Sequence, residues 1–306
     1  MYTYGPVPSR RLGKSIGVSP IPSKTCSYSC VYCQLGRTTN FTIDRASFFD
    51  PNTILTELNR RIENSEPDFI TFVGDGEPTL CKELGWMLEQ CKQRFDTPTA
   101  VITNGSLIYR DDVKKELQNA DLILPSIDAG TEETFKKINR PHKNLNFEEI
   151  ISGIIDFSKI FEGKLWTETM LVKGYNDSKD ELQNIKSIID KINPDKTFIM
   201  APTRPPAEDV TSPEPELYLY AQKLINQAKT ITNLEKGDFE ISNYKDAREA
   251  IMELSSRHPL RKEQAQWIAK QFGQQQAIRK SVQNGELIVK KYAGTKYVLP
   301  GKLFNR

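Results

Sequence analysis

The sequence predicts an α/β protein: a partial (β/α)6 barrel over residues 1–240, followed by a winged helix-turn-helix-like domain over residues 241–306. Three observations carry this. Short β-rich apolar runs alternate with longer amphipathic segments after residue 50. The residues of chemical interest fall where those runs end. The tail then changes both its charge and its order of elements.

The first strand is expected at 15–21, and further strands at 68–73, 99–103, 122–127, 164–172 and 197–201. Helical periodicity fills the gaps at 52–64, 81–94, 111–119, 131–138, 147–160, 178–192 and 215–229. Strand, helix, strand in repetition argues for parallel units joined by right-handed crossovers. Six units are too few for a closed eight-stranded barrel, so the sheet should stay open. The proline-rich stretch 203–215 reads as a surface loop. In the tail, helices are expected at 246–257, 261–272 and 275–283. Two short strands should follow around the Ala293-Gly294-Thr295 turn. Three helices and a hairpin are the order of a winged helix.

The chain has 306 residues, enough to bury a large core, and its mean hydropathy is −0.53. No apolar run approaches a membrane span, and the N-terminal stretch lacks the pattern of a secretory leader. The expectation is a cytoplasmic protein without a membrane partner. In that compartment five cysteines point to a metal site before disulfides. Cys81 and Cys91 stand apart, on the segment expected as helix 81–94, and read as ordinary thiols near a core face.

Cys26-Ser-Tyr-Ser-Cys30-Val-Tyr-Cys33 has the spacing C-x3-C-x2-C. Thiolates are soft ligands suited to zinc or iron–sulfur clusters. A structural zinc site wants four ligands, and His142 and His258 are far along the chain. Three thiolates on a cubane leave one iron open to a ligand with nitrogen and oxygen donors.

With an aromatic residue before its last cysteine, the motif resembles the signature of the radical S-adenosylmethionine (SAM) superfamily. The resemblance implies an oxygen-sensitive [4Fe–4S] cluster on Cys26, Cys30 and Cys33. It also implies reductive cleavage of SAM to a 5′-deoxyadenosyl radical, fed by an electron donor such as a flavodoxin or ferredoxin. Gly74-Asp75-Gly76-Glu77-Pro78-Thr79 resembles the family's loop for the SAM ammonium; glycines admit close approach, and acceptor oxygens suit a cation. Asn104, after the third expected strand, resembles a further family feature. Ser126 and Asp128 resemble the polar pair at the SAM ribose. Glu168 is either a second ribose contact or an ordinary strand residue, and Tyr32 lies near the adenine or packs in the core. Within the superfamily, residues 5–14, 24–37, 171–177 and 202–206 look closest to the group of wyosine-base (tRNA imidazoguanosine) synthases, over roughly residues 5–240. That group also carries cysteines upstream of the motif for a second cluster, and none precedes Cys26 here. Its Schiff-base lysine has only Lys24 and Lys173 as candidates for a catalytic role.

Residues 257–306 hold 11 Lys/Arg against Glu263 and Glu286, while the rest of the chain is mildly acidic. Arg279, Lys280, Lys290, Lys291 and Lys296 fall where a winged helix meets phosphate. The tail therefore reads either as a nucleic-acid contact or as a protein-docking lid. Arg10, Arg11 and Arg204 are candidate anion contacts, suited to a phosphorylated or nucleotide substrate, or else plain surface arginines. Two other functions stay open: a glycyl-radical activating enzyme, and an iron–sulfur redox regulator that binds DNA.

Overall fold

The computed structural model describes residues 1–225, 228–231 and 239–304. Its larger part is one open, curled sheet of eight strands. In chain order the strands are β1 (Thr3–Ser9), β2 (Gly13–Val18), β5 (Phe69–Phe72), β6 (Thr99–Thr103), β7 (Leu122–Pro125), β8 (Lys164–Met170), β9 (Lys196–Met200) and β10 (Ala228–Ile231). They lie in the order β1-β2-β5-β6-β7-β8-β9-β10. Between β2 and β5, two short strands, β3 (Thr25–Cys26) and β4 (Asn40–Phe41), pair separately. β1 runs antiparallel to β2, and every other neighbouring pair in the large sheet is parallel.

All six expected strands are present. Two departures extend the sheet. Pro6 and Pro8 hide β1 from a reading by propensity, but an edge strand loses little when an N–H is missing. The register shifts between Tyr4 and Val7, around Pro6. At the other edge the expected 215–229 helix ends at Leu224, and Ala228–Ile231 joins β9 in parallel. The part of that helix at 226–227 lies outside the described residues. Among the described residues the half-barrel therefore has seven parallel strands, one more than expected.

The crossovers run through α1 (Pro51–Glu63), α2 (Leu84–Arg94), α3 (Asp111–Leu117), α4 (Glu132–Ile138), α5 (Phe147–Ile160), α6 (Lys179–Ile192) and α7 (Pro215–Leu224). α6 shows why these segments fold as they do. Leu182, Ile185, Ile188, Ile189 and Ile192 repeat at helical spacing and are buried. Ser178 caps its first turn by accepting from the Glu181 N–H, and Asn193 ends it in the left-handed region. Strand residues sort by alternation. Ile123 and Ile199 face the helices, while Leu122, Leu124, Phe198 and Met200 fill the concave side with Trp166 and Leu12.

The C-terminal part holds α8 (Ala247–Arg257), β11 (Leu260–Arg261), α9 (Lys262–Gln271), α10 (Ala277–Gln283), β12 (Leu287–Tyr292), β13 (Thr295–Pro300) and a last turn, α11 (Gly301–Phe304). Its antiparallel sheet has the order β11-β13-β12. Ala293 and Gly294 both have positive φ, as a two-residue hairpin turn of the primed type requires. Ala247, Ile251, Leu254, Ile268 and Val298 form one core with Tyr4 and Val7 of β1. The unforeseen edge strand is thus the platform on which the C-terminal part sits. No helix among the described residues is long and apolar enough to cross a membrane.

Candidate active site

The three clustered cysteines stand on one loop above the sheet. Cys26 ends β3, which pairs with β4, and Thr25 bridges to Gly76. Lys24, at φ 61°, turns the chain so that its carbonyl accepts the N–H groups of Thr39 and Asn40. Cys33 N–H donates to the Cys30 carbonyl at 3.1 Å, and Gly36 N–H to the Cys33 carbonyl at 3.2 Å. Cys26, Cys30 and Cys33 are half-buried residues, whereas Cys81 and Cys91 are fully buried. Cys81 precedes α2 rather than lying on it.

Amide donors meet two of the sulfurs. Asn104 Nδ2 and the Tyr28 N–H each lie 3.5 Å from Cys26 Sγ, and Asn139 Nδ2 lies 3.5 Å from Cys30 Sγ. Burial pushes the Cys26 thiol up to about 12, with Glu77 adding to it. Burial also raises Cys30, with Asp128 second, and it raises Cys33. A group that takes these thiols as thiolates must supply positive charge. Among the described residues, no three Cys, His, Asp or Glu side chains are grouped to hold one metal ion. Thiolates that each bind a different iron of a cubane need not meet at one point. The donor set of three soft thiols with amide N–H groups at their sulfurs fits such a cluster.

The glycine loop follows β5. Gly74 has φ +128°, which L side chains rarely adopt, and a Cβ at Gly76 would lie 1.8 Å from the Thr25 carbonyl oxygen. The loop is therefore pressed against the cysteine loop. Lys24 N–H donates to the Asp75 carbonyl at 2.5 Å, and Glu77 N–H to Thr25 O at 3.0 Å. The Glu77 side chain, 1% exposed, accepts from Thr79 N–H, Thr79 Oγ1, Thr103 Oγ1 and Asn104 N–H at 2.6–3.1 Å. Burial nonetheless holds its carboxyl above the usual range. Glu77 therefore ties the glycine loop to the end of β6, and Pro78 opens the single 3-10 turn it caps.

At the ends of β7 and β8, Ser126 and Glu168 form an isolated bridge, and Ser126 Oγ donates to Glu168 Oε1 at 3.3 Å. Arg11 is ion-paired with Glu168. Asp128, 3% exposed, has its carboxylate engaged: Tyr32 OH and Asn139 Nδ2 donate to Oδ2, and Met170 N–H to Oδ1. Burial raises its carboxyl despite these donors. Asp128 was expected at the SAM ribose; in this structure its carboxylate accepts from Tyr32, Asn139 and Met170. It locks Tyr32 and Asn139, hence the Cys30 side of the loop, to β8. Tyr32 is correspondingly held by its hydroxyl.

Lys173 lies in the turn after β8 and pairs with Glu214 at 2.5 Å on an exposed face. Lys24 serves the loop through its backbone. Asn139, Asn176 and Arg257 escaped the sequence reading. Asn139 caps α4, and Asn176 donates to the Asp128 and Met170 carbonyls, both at 2.8 Å. Arg257 Nε donates to Asp75 Oδ2 at 2.9 Å, and the Arg257 carbonyl accepts from Gln34 Nε2 at 3.0 Å. No local pattern marks an asparagine or a helix-end arginine as part of a distant site.

The profile described as Radical SAM superfamily matches residues 21–185. A UPF0026 protein of Methanocaldococcus jannaschii is 38% identical over 303 residues, covering 95% of this chain and 93% of that one. A Brachyspira hyodysenteriae protein named GTPase Obg is 45% identical over 202 residues; the match spans 66% of this chain and 30% of that protein. The crystal structure of a radical SAM methyltransferase from Sphaerobacter thermophilus superposes with a TM-score of 0.50 at 14% identity, covering 71% of this chain and 65% of that one. That last likeness supports the fold alone. The chain belongs to the radical SAM superfamily, whose members are enzymes that use a [4Fe–4S] cluster and SAM.

Proposed function

We propose that this enzyme cleaves SAM reductively at a cluster held by Cys26, Cys30 and Cys33, and turns the resulting 5′-deoxyadenosyl radical on a separate substrate. The observation that carries the reading is the stitching of the cysteine loop to the Gly74–Glu77 loop through Thr25, Gly76 and Glu77. When bound, the cluster supplies the electron that breaks the sulfonium bond. The chain's own part is positional. Asn104 and Asn139 donate to the sulfurs, which favours the thiolate and tunes its potential. The glycine loop brings backbone close to the SAM methionyl end, and Ser126 with Glu168 takes the ribose hydroxyls. Glu77 and Asp128 hold these parts in register.

The C-terminal part we read as winged-helix-like, from the order of its three helices and hairpin. Arg279, Lys280, Lys290, Lys291 and Lys296 are exposed, and Lys291 stands directly opposite Lys296 across β12 and β13. Like charges in that position are unfavourable unless an anionic partner joins them, which favours nucleic acid over a neutral protein face.

Anaerobic reconstitution with iron, sulfide, SAM and dithionite tests the main reading by product analysis. The wild type should yield methionine and 5′-deoxyadenosine, and Cys30→Ala should lose both the cluster absorbance and the product. A fully assembled cluster that yields no 5′-deoxyadenosine would sink the proposal and leave a redox regulator as the better account.

A further inference from the structure

A cavity of about 690 Å³ lies where the hairpin of the C-terminal part meets the edge of the half-barrel. Its walls are the loop after β9 (Pro202), the proline-rich segment that enters α7 (Pro213, Pro215), α7 itself (Tyr218) and the β12–β13 hairpin (Tyr297). The hairpin is tied to that proline-rich loop: Tyr297 OH donates to the Thr203 carbonyl at 2.5 Å, and Tyr292 OH to the Val210 carbonyl at 3.0 Å. The cavity is on the helix side of the sheet. Thr230, on its wall, pairs with Ile199 across β10 and β9, and Ile199 faces the helices. Glu168 instead pairs with Phe198, which faces the concave side, where Arg10, Arg11 and Arg204 line a separate space. The sheet therefore stands between this cavity and the residues assigned to SAM. Two hydroxyls on the wall, Tyr218 OH and Thr230 Oγ1, are buried without a hydrogen bond. Tyr218 is 7% exposed, and Ser212 beside it gives its own hydroxyl to the Pro202 carbonyl at 3.2 Å. Leu219, also on the wall, is 58% exposed, so the space opens to solvent there.

We propose that this cavity binds an uncharged aromatic small molecule carrying one hydrogen-bonding group, at a site distinct from that of SAM. The volume falls within the roughly 300–1,000 Å³ of small-molecule sites, which are mostly apolar with a few placed polar groups. None of the described residues that line it is charged, so a charged ligand would be desolvated there without a counter-ion. The flat faces of three prolines and two tyrosines suit a planar ring. An orphaned buried hydroxyl costs free energy, and a polar group on the ligand would recover it at Tyr218 or Thr230. A molecule seated here touches the hairpin and α7 at once. Its binding therefore pins the C-terminal part to the edge of the barrel without meeting the concave side.

The probe is 2-naphthol, followed by its own fluorescence as it is titrated into the anaerobically reconstituted full-length chain. Saturable binding is expected, with a dose-dependent rise in melting temperature. Two analogues are read by displacement. Naphthalene-2-carboxylate should bind about tenfold more weakly or worse, because its charge finds no partner. Decahydro-2-naphthol, the saturated analogue, should also bind more weakly. Tyr218→Phe should leave the melting temperature of the free protein unchanged, because the hydroxyl it removes has no partner. It should weaken 2-naphthol about fivefold, the worth of one neutral hydrogen bond. Leu219→Glu alters an exposed position, so the fold is retained, and a carboxylate at the opening should weaken the probe about tenfold. Absence of saturable binding to the wild type, or unchanged affinity in both variants, overturns the site. Equal affinity for the carboxylate overturns the uncharged assignment, and equal affinity for the saturated analogue overturns the aromatic one. Displacement of the probe by SAM would merge this cavity with the SAM site and overturn their separation.

Discussion

The contact between Asp75 and Arg257 joins the C-terminal part to the glycine loop, and a double-mutant cycle measures that coupling. The two side chains are 9% and 10% exposed, and Nε stands 2.9 Å from Oδ2. Arg257 has further partners: Glu253 at 2.9 Å, the Met1 carbonyl at 2.9 Å, and the Tyr4 ring 5.4 Å below its guanidinium. Arg257→Gln therefore leaves the Asp75 carboxylate buried without its cation, at a cost of about 3 kcal/mol, the lower end for breaking a buried pair. Asp75→Asn leaves Arg257 with Glu253 and the carbonyl, so about 1–2 kcal/mol is expected. The double variant should cost less than the sum, with a coupling of about 1.5 kcal/mol or more. Urea unfolding of the anaerobically purified protein gives the four free energies. Because Asp75 sits inside the loop assigned to SAM, Arg257→Gln should also raise the SAM Kd about tenfold by calorimetry. A coupling below about 0.5 kcal/mol, with SAM affinity unchanged, would refute the idea that α8 holds this loop.

Gly76→Ala should destabilise the protein by about 2–3 kcal/mol and depress iron incorporation, since the new methyl meets a backbone carbonyl that cannot swing away; wild-type iron content would contradict the packing argument. Lys173→Met removes an exposed ion pair only, so 5′-deoxyadenosine formation should stay within about twofold of wild type; a collapse of activity would restore a catalytic lysine. Glu57 holds the N-terminal strand by accepting from Tyr2 N–H, Thr3 N–H and Thr3 Oγ1. Burial pushes its carboxyl up, but these donors outweigh it and the folded-state value is lowered. Its stabilisation is then complete above the unfolded pKa of about 4.3 and is lost as pH falls through the lower folded value. Melts of Glu57→Gln against wild type should differ at neutral pH and converge under strong acid. A gap of constant size would contradict that linkage.

The parallel strands and the cysteine motif were legible because their signals are local. Short β-rich apolar runs at 99–103 and 122–127, helical spacing in 178–192, and three thiols within eight residues need no partner elsewhere to be read. β1 was not legible, since its prolines argue against a strand until the sheet edge is known. β10 was lost in an apparent helix, because a four-residue edge strand shows too little alternation. In the site, Cys26, Gly76 and Asn104 stand together, and the Asp128 and Glu77 carboxylates accept internal hydrogen bonds. Donor geometry, not residue type, reveals those bonds.

Sequence alone determined a run of parallel β/α units and a thiolate loop, C-x3-C-x2-C, after the first strand. Both follow from periodicity and from ligand chemistry along the chain, while the class of enzyme came from the resemblance of that loop to a family signature. Only the tertiary structure decided that an N-terminal edge strand carries the C-terminal part. It also decided that Asp128 meets Tyr32 and Asn139, and that Arg10, Arg11, Arg204 and Arg257 share one cavity. Those facts depend on residues far apart in sequence being pressed together by the burial of the sheet's two faces and of β1. No local pattern encodes such a meeting.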